Sequence, residues 1–76
     1  MKKQKAPELK ELKKLLHRKN ISYKRLSKRL NISVDAVNNK LNGYTLFNSI
    51  EILKISQFLN IEKGNIFKYF WSDCNE

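Results

Sequence analysis

The sequence contains few of the residues that build cross-links, metal sites or membrane spans. It has one cysteine, Cys74, and one histidine, His17, in 76 residues, so no internal disulfide can form and a zinc site would lack ligands. No apolar run approaches the roughly 18 residues that a transmembrane helix needs, and no apolar stretch follows the basic residues 2–5 as a signal peptide requires. We therefore expect no metal, no cofactor and no membrane partner, and a cytoplasmic location.

Catalytic residues are equally scarce. His17 stands alone, and no pair of acid and base residues has a sequence context that supports catalysis. The length of 76 residues leaves room for one domain, and the hydrophobic fraction of 41% is enough for a small core. We therefore predict a single small domain that is not an enzyme and binds no small-molecule ligand.

Acidic residues are sparse where basic residues are dense. Residues 1–30 hold 12 Lys and Arg against two Glu, a balance of +10, whereas residues 31–76 hold four Lys against five Asp and Glu, a balance of −1. A cationic face on a small domain favours a polyanionic partner, which is DNA, RNA or an acidic membrane. The alternative is a solvated face that only aids solubility.

The two glycines and one proline leave long uninterrupted segments, and apolar residues recur in them at helical spacing. The pattern predicts an all-α fold with five helices, over residues 7–18, 23–30, 34–42, 49–59 and 63–69. Pro7 suits the first turn of the first helix. We divide the chain into a flexible basic arm over residues 1–6, a domain over 7–71 and a tail over 72–76.

A repeated motif marks the helix boundaries. In Asn20-Ile21-Ser22 and Asn31-Ile32-Ser33, the Asn suits the left-handed conformation that ends a helix. The Ser caps the next helix, and the Ile before it packs on the fourth helical residue as a hydrophobic staple. Phe47-Asn48 repeats the cap and staple, and Asn60-Ile61-Glu62 repeats the whole motif with a weaker cap.

Helices 2 and 3 are separated by only three residues, which forces them to cross steeply. Counted from Tyr23 as position one, position five is the small Ser27 and position nine is Asn31, at the turn where Gly is commonest. Leu26, Leu30 and other apolar residues fill the inward positions. This is the helix-turn-helix pattern.

Over residues 8–70 the sequence resembles the lambda-repressor-like, or Xre-type, helix-turn-helix family. It is most similar to small Cro-like and repressor-like proteins of phages and mobile elements in low-GC Gram-positive bacteria. The residues that carry the resemblance are Leu26-Ser27-Lys28-Arg29-Leu30-Asn31-Ile32-Ser33, Val37, Lys40-Leu41-Asn42-Gly43, Phe47, Ile55-Ser56, Leu59-Asn60-Ile61, Ile66 and Tyr69-Phe70-Trp71. The resemblance implies a compact five-helix DNA-binding domain in the bacterial cytoplasm, with the helix-turn-helix at helices 2 and 3.

The resemblance also implies which residues meet DNA. It places base reading on helix 3, where amide, carboxylate and methyl groups match base edges, at Ser33, Val34, Asp35, Asn38 and Asn39. Cations at the start of helix 2 oppose the helix dipole, which suggests a phosphate site there. We predict phosphate contacts from Ser22, Tyr23, Lys24, Arg25, Lys40, Asn42 and Tyr44. Lys40 occupies a motif position that is usually apolar, so its stem would lie on the core with its ammonium at a phosphate.

The aromatic and apolar residues exceed what a small core can bury. We assign the surplus to a dimer interface formed by Ile50, Phe58, Phe67, Tyr69 and Trp71. The function expected is a sequence-specific regulator that binds double-stranded DNA at an inverted-repeat operator, as a homodimer formed in solution or only on DNA. One alternative is an antitoxin-like or other interaction module whose aromatic C-terminus binds a partner polypeptide. A basic protein of the membrane surface is a third, and it fits the charge pattern poorly.

Overall fold

Five α-helices and one 3-10 turn make up the part of the chain that the computed structural model describes, residues 5–71, which contains no strand. The helices are α1 (Lys10–Arg18), α2 (Tyr23–Leu30), α3 (Val34–Leu41), α4 (Ser49–Leu59) and α5 (Ile66–Trp71), and the 3-10 turn is Lys63–Asn65. The all-α, five-helix prediction is therefore confirmed. Residues 1–4 of the predicted arm and the predicted tail, 72–76, lie outside the described residues.

One hydrophobic core holds the helices together. Helix α2 packs on α3 and α4, and α1 packs on α5 and α3. The fully buried side chains are mostly leucines contributed at helical spacing by the first four helices: Leu12, Leu16, Leu26, Val37, Leu41, Ile55 and Leu59. Burying one such side chain contributes about 1.5–3 kcal/mol, so these residues fix how the helices are arranged.

Side-chain caps are observed at the predicted starts of three helices. The side chains of Ser22, Ser33 and Asn48 each accept a hydrogen bond from the backbone N–H three residues later. Left-handed backbone, with φ of 59°, occurs at Asn20 and Asn31, as predicted, and Asn60 adopts it too, with φ of 58°. These interactions confirm that the repeated motif ends one helix and begins the next.

The weaker cap at Glu62 changes the last helix. Its side chain makes no capping hydrogen bond, and residues 63–65 form a 3-10 turn before α5 begins at Ile66. The sequence predicted a continuous helix over 63–69. A first turn without a side-chain cap is commonly tightened to 3-10 geometry, which explains the difference.

Helix α1 begins three residues later than the sequence predicted, so Pro7 precedes the helix instead of occupying its first turn. The backbone N–H groups of Lys5 and Ala6 both donate to the carbonyl oxygen of Gly43, at 2.7 and 3.0 Å. The backbone N–H of Leu9 donates to the carbonyl oxygen of Leu41 at 2.9 Å. Residues 5–9 are thereby held against the C-terminal end of α3 in a conformation that is not helical.

Candidate nucleic-acid interface

The turn between α2 and α3 has the geometry that a helix-turn-helix needs. Asn31 adopts the left-handed conformation, φ 59° and ψ 43°. The backbone N–H of Ile32 then donates to the Ser27 carbonyl at 3.0 Å. Ser27 itself is only 4% exposed, and its hydroxyl donates to the Lys24 carbonyl at 2.6 Å. A larger or unsatisfied side chain at this contact would separate the two helices, so Ser27 sets how closely α3 approaches α2.

Helix α3 presents the predicted base-reading residues on one side and the core residues on the other. Four of the five predicted residues are exposed and the fifth, Asn39, is half-buried; the exposed ones are Ser33, Val34, Asp35 and Asn38. Ser33 also caps the helix, accepting from the Ala36 N–H at 3.0 Å. The surface carries one formal charge, that of Asp35. It is therefore suited to hydrogen bonds with base edges and poorly suited to holding phosphates.

Two cationic side chains, Lys24 and Arg25, lie in the first turn of α2, the second predicted contact region. Ser22 caps this helix, accepting from the Arg25 N–H at 3.1 Å. The helix contains four cations and no acid, and none of the four is ion-paired within residues 5–71. Lys24 is exposed and Tyr23 is half-buried against the core. Cations without an acidic partner at a helix N-terminus form a site that fits a phosphate group.

Two guanidinium groups on α2 cover an aromatic ring on α4. The Cζ atoms of Arg25 and Arg29 lie 5.7 and 4.5 Å from the centroid of the Phe58 ring. Such stacking leaves the N–H edges of a guanidinium free for an anion. The arrangement also uses much of the Phe58 surface within the monomer, although this residue was assigned to a dimer interface.

Lys40 is engaged inside the protein. Its Nζ donates to the Leu46 carbonyl at 3.0 Å and lies 3.2 Å from Glu51 Oε1. The two charged side chains are 16% and 12% exposed, and the ammonium also lies 5.8 Å from the centroid of the Phe47 ring. The stem lies within the protein as expected, but the ammonium contacts Glu51 where a phosphate was predicted. Lys40 is therefore engaged by protein groups and is not counted among the phosphate-binding side chains.

The loop after α3 holds the last predicted phosphate contacts, Asn42 and Tyr44, and the Asn42 side chain bonds to other protein groups. Asn42 Oδ1 accepts from Lys13 Nζ at 2.5 Å, and Asn42 Nδ2 donates to Asn38 Oδ1 at 3.2 Å. Tyr44 is half-buried, and its backbone N–H donates to the Asn39 carbonyl at 2.9 Å. No local pattern in the sequence marks Lys13 for this role, because its partner Asn42 is distant in the sequence.

Lys13 also lowers the pKa of a carboxyl group just before α1, that of Glu8. Its ammonium lies 2.5 Å from Glu8 Oε2. That hydrogen bond, and then the charge of Lys13 itself, hold the pKa of the Glu8 carboxyl below its usual range. Glu8 is thus ionised and fixes the ammonium between two oxygen atoms.

The predicted dimer residues fall into two groups. Ile50 and Phe67 are 63% and 62% exposed, whereas Phe58 and Tyr69 are half-buried and pack against the core. The Trp71 side chain lies outside the described residues. Two further apolar side chains, which are not among the predicted dimer residues, are exposed: Leu46 at 61% and Leu53 at 56%. The signal for Leu53 was its i,i+3 spacing from Ile50, outside the core stripe of α4.

Other kinds of site receive no support within residues 5–71. No group of three or more His, Cys, Asp or Glu residues comes together there to hold a metal ion. None of the helices in this part of the chain has the length and apolar character needed to cross a membrane.

The comparisons with known proteins agree with the geometry. The sequence model of the Cro/C1-type HTH DNA-binding domain matches residues 11–70, which include the whole helix-turn-helix and α4. No curated protein and no solved structure matches the chain. A match over this much of the chain, together with the exposed polar face of α3 beside the cationic α2, shows that the chain belongs to the Cro/C1-type helix-turn-helix family of DNA-binding domains.

Proposed function

We propose that the protein is a sequence-specific regulator of transcription that inserts α3 into the major groove of double-stranded DNA. The exposed face of α3 carries the proposal, because its side chains can pair with base edges and it lacks the cations of a general phosphate binder. The adjoining N-terminus of α2, with Ser22, Tyr23, Lys24 and Arg25, would hold the backbone phosphates. Tyr44, in the loop after α3, would contact the backbone beside them.

Two variants separate the roles of the two helices. Asp35→Ala removes a carboxylate that can only accept hydrogen bonds and therefore favours an amino base, most often cytosine. It should relax one base position of the preferred site and raise affinity for unrelated DNA, since a negative charge near phosphates is lost. Lys24→Ala should weaken binding to all sequences alike. Lys63→Ala, which removes an exposed cation outside the helix-turn-helix, is the matched control and should bind as the wild type does.

Fluorescence anisotropy on the preferred duplex and on a scrambled duplex measures both effects. Salt titration completes the measurement, because a protein that neutralises about six phosphates gives a log–log slope near −5. A flat response to salt would exclude DNA as the ligand. An Asp35→Ala protein with unchanged base preference would exclude this surface of α3 as the reader.

We further propose that the protein binds an inverted-repeat operator as a homodimer. One short helix reads too few base pairs to select a genomic site, and two-fold symmetry doubles the reading surface. The exposed Ile50, Leu53 and Phe67 supply apolar area for the contact. We propose that Trp71 also contributes to the dimer contact, and that Phe58 and Tyr69 lie at the edge of that contact.

Sedimentation of the protein with a single operator duplex tests the dimer. Ile50→Ser and Phe67→Ser should lower cooperativity on DNA while leaving the helical circular-dichroism signal intact, because both side chains are more than half exposed. Leu46→Ser is an equally exposed apolar control outside the proposed contact. A 1:1 complex on a site without a repeat would contradict the homodimer.

The resemblance to Cro-like proteins suggests the biological setting. We propose a repressor or Cro-like switch protein of a phage or mobile element, acting in the bacterial cytoplasm by occupying DNA and not by catalysis. A reporter gene placed behind the selected operator should fall in expression when the protein is produced, and increased expression would identify an activator.

A further inference from the structure

A chain of directed hydrogen bonds runs from α1 to the exposed face of α3. Lys13 Nζ donates to Asn42 Oδ1 at 2.5 Å, and Asn42 Nδ2 donates to Asn38 Oδ1 at 3.2 Å. Lys13 is itself held by the ionised Glu8. Lys13 lies in α1, Asn42 directly follows α3, and Asn38 is one turn earlier on the exposed side of α3.

Each link in this chain has only one possible direction. An ammonium group donates and never accepts, so Asn42 must turn its carbonyl oxygen toward Lys13. The amide nitrogen of Asn42 then faces Asn38 and donates to its Oδ1. The Asn38 side chain is thereby oriented with its oxygen toward Asn42 and its two N–H donors available at the protein surface.

We infer that Lys13 is a positioning residue for sequence recognition: through Asn42 it fixes Asn38 as a hydrogen-bond donor that reads an acceptor on a base. This inference rests on the proposed function of α3. A free asparagine amide bridges the acceptor and donor of adenine. With its oxygen turned toward Asn42, Asn38 presents its N–H donors to DNA. These donors match the keto bases: guanine presents the acceptors O6 and N7 in the major groove, and thymine presents O4.

The inference makes Lys13 different from the other cations of α1. A cation at a phosphate affects all DNA sequences equally, whereas Lys13 would affect the base chosen at one position. Lys14 is the matched control, because it lies next to Lys13 on α1, pairs with Glu11 at 3.8 Å and is 70% exposed.

Selection from a random duplex pool tests the inference with four variants beside the wild type. Asn38→Ala identifies the position that Asn38 reads, where its preference is lost. At that position the wild type should favour a keto base. Lys13→Met should shift the preference toward adenine by about tenfold, because no ammonium then holds the Asn42 oxygen toward α1 and the Asn38 amide loses its fixed orientation. The other positions, and the selection by Lys14→Met, should match the wild type.

Asn42→Asp is an independent test that does not depend on Lys13→Met folding. The new carboxylate still accepts from Lys13 but can offer Asn38 only acceptors. Asn38 must then donate to it and present its oxygen to DNA, so the preference should invert to the amino bases, adenine and cytosine. The added negative charge should lower the affinity for every sequence equally, so charge alone would not change the preference from keto to amino bases.

Two results would overturn the inference while leaving the proposed function intact. One is a wild-type protein that selects an amino base at the Asn38 position. The other is an unchanged preference in both Lys13→Met and Asn42→Asp, including the case in which Lys13→Met only reduces the salt slope. A wild-type protein that enriches no sequence would overturn the proposed function and this inference together.

Discussion

Removing the ammonium of Lys40 should destabilise the fold and leave the number of phosphate contacts unchanged. The ammonium lies 3.2 Å from Glu51 Oε1, in a site where the two side chains are 16% and 12% exposed. Glu51 also completes the cap of α4: it accepts from the Asn48 N–H at 3.0 Å, and its own N–H donates to Asn48 at 2.7 Å. Lys40 thus joins the end of α3 to the start of α4.

The expected magnitude follows from this partial burial. Breaking a fully buried ion pair by removing one partner costs about 3–5 kcal/mol, because a charge is left uncompensated. Some water reaches both groups here, so we expect Lys40→Met to lower the free energy of unfolding by about 2 kcal/mol. For a domain of this size that corresponds to a fall of about 10 °C in the melting temperature.

A double-mutant cycle isolates the pair. Glu51→Gln keeps a residue type that also serves in capping boxes while removing the charge. Because the two groups interact directly, Lys40→Met and Glu51→Gln together should cost less than the sum of the single changes, with a coupling of about 1–2 kcal/mol. Urea denaturation followed by circular dichroism measures all four proteins.

DNA binding provides the second readout. Because the Lys40 ammonium contacts Glu51, the salt slope of Lys40→Met should equal that of the wild type. Strictly additive stability changes, combined with a slope reduced by about one, would refute this reasoning and place Lys40 on a phosphate.

Other substitutions test separate parts of the structure. Lys24→Ala should reduce the salt slope by about one, as measured by anisotropy, because one phosphate contact is lost. Asn31→Ala should cost about 1 kcal/mol in urea denaturation because φ is 59° there, and Asn31→Gly should be close to neutral. Glu8→Gln should lower the melting temperature at neutral pH, since the Lys13 ammonium favours the ionised carboxylate and lowers its pKa in the fold. That difference should be complete above the unfolded-chain pKa of about 4.3 and vanish as the pH falls through the lower folded pKa; a difference that persists at acid pH would contradict the pairing. Gly43→Ala should destabilise the loop after α3, because φ is 87° at this buried glycine; unchanged melting would contradict the strain.

Local sequence signals predicted most of the fold. The Asn-Ile-Ser motifs place side-chain acceptors and left-handed residues at fixed positions, so the bounds of α2 follow from a few neighbouring residues. The start of α1 did not follow, because it depends on hydrogen bonds from Lys5, Ala6 and Leu9 to the end of α3. Contacts between residues so far apart leave no local periodic signal.

The sequence predicted where the residues of the candidate site lie better than it predicted which groups they contact. Motif spacing placed Ser33, Val34 and Asp35 at the start of α3, where the structure exposes them. It could not show that Lys40 pairs with Glu51, because that pairing depends on how α4 packs after the loop. The contact between Asn42 and Lys13 of α1 could not be predicted either, because it too depends on how distant parts of the chain pack.

Selection of bound sequences from a random duplex pool is the most direct test of the claim that α3 reads DNA. The wild-type protein should enrich an inverted repeat whose half-site centres lie about one helical turn apart, and Asp35→Ala should relax one position in each half-site. A pool that stays random after repeated selection, although the protein is folded and binds DNA with a steep salt dependence, would contradict it.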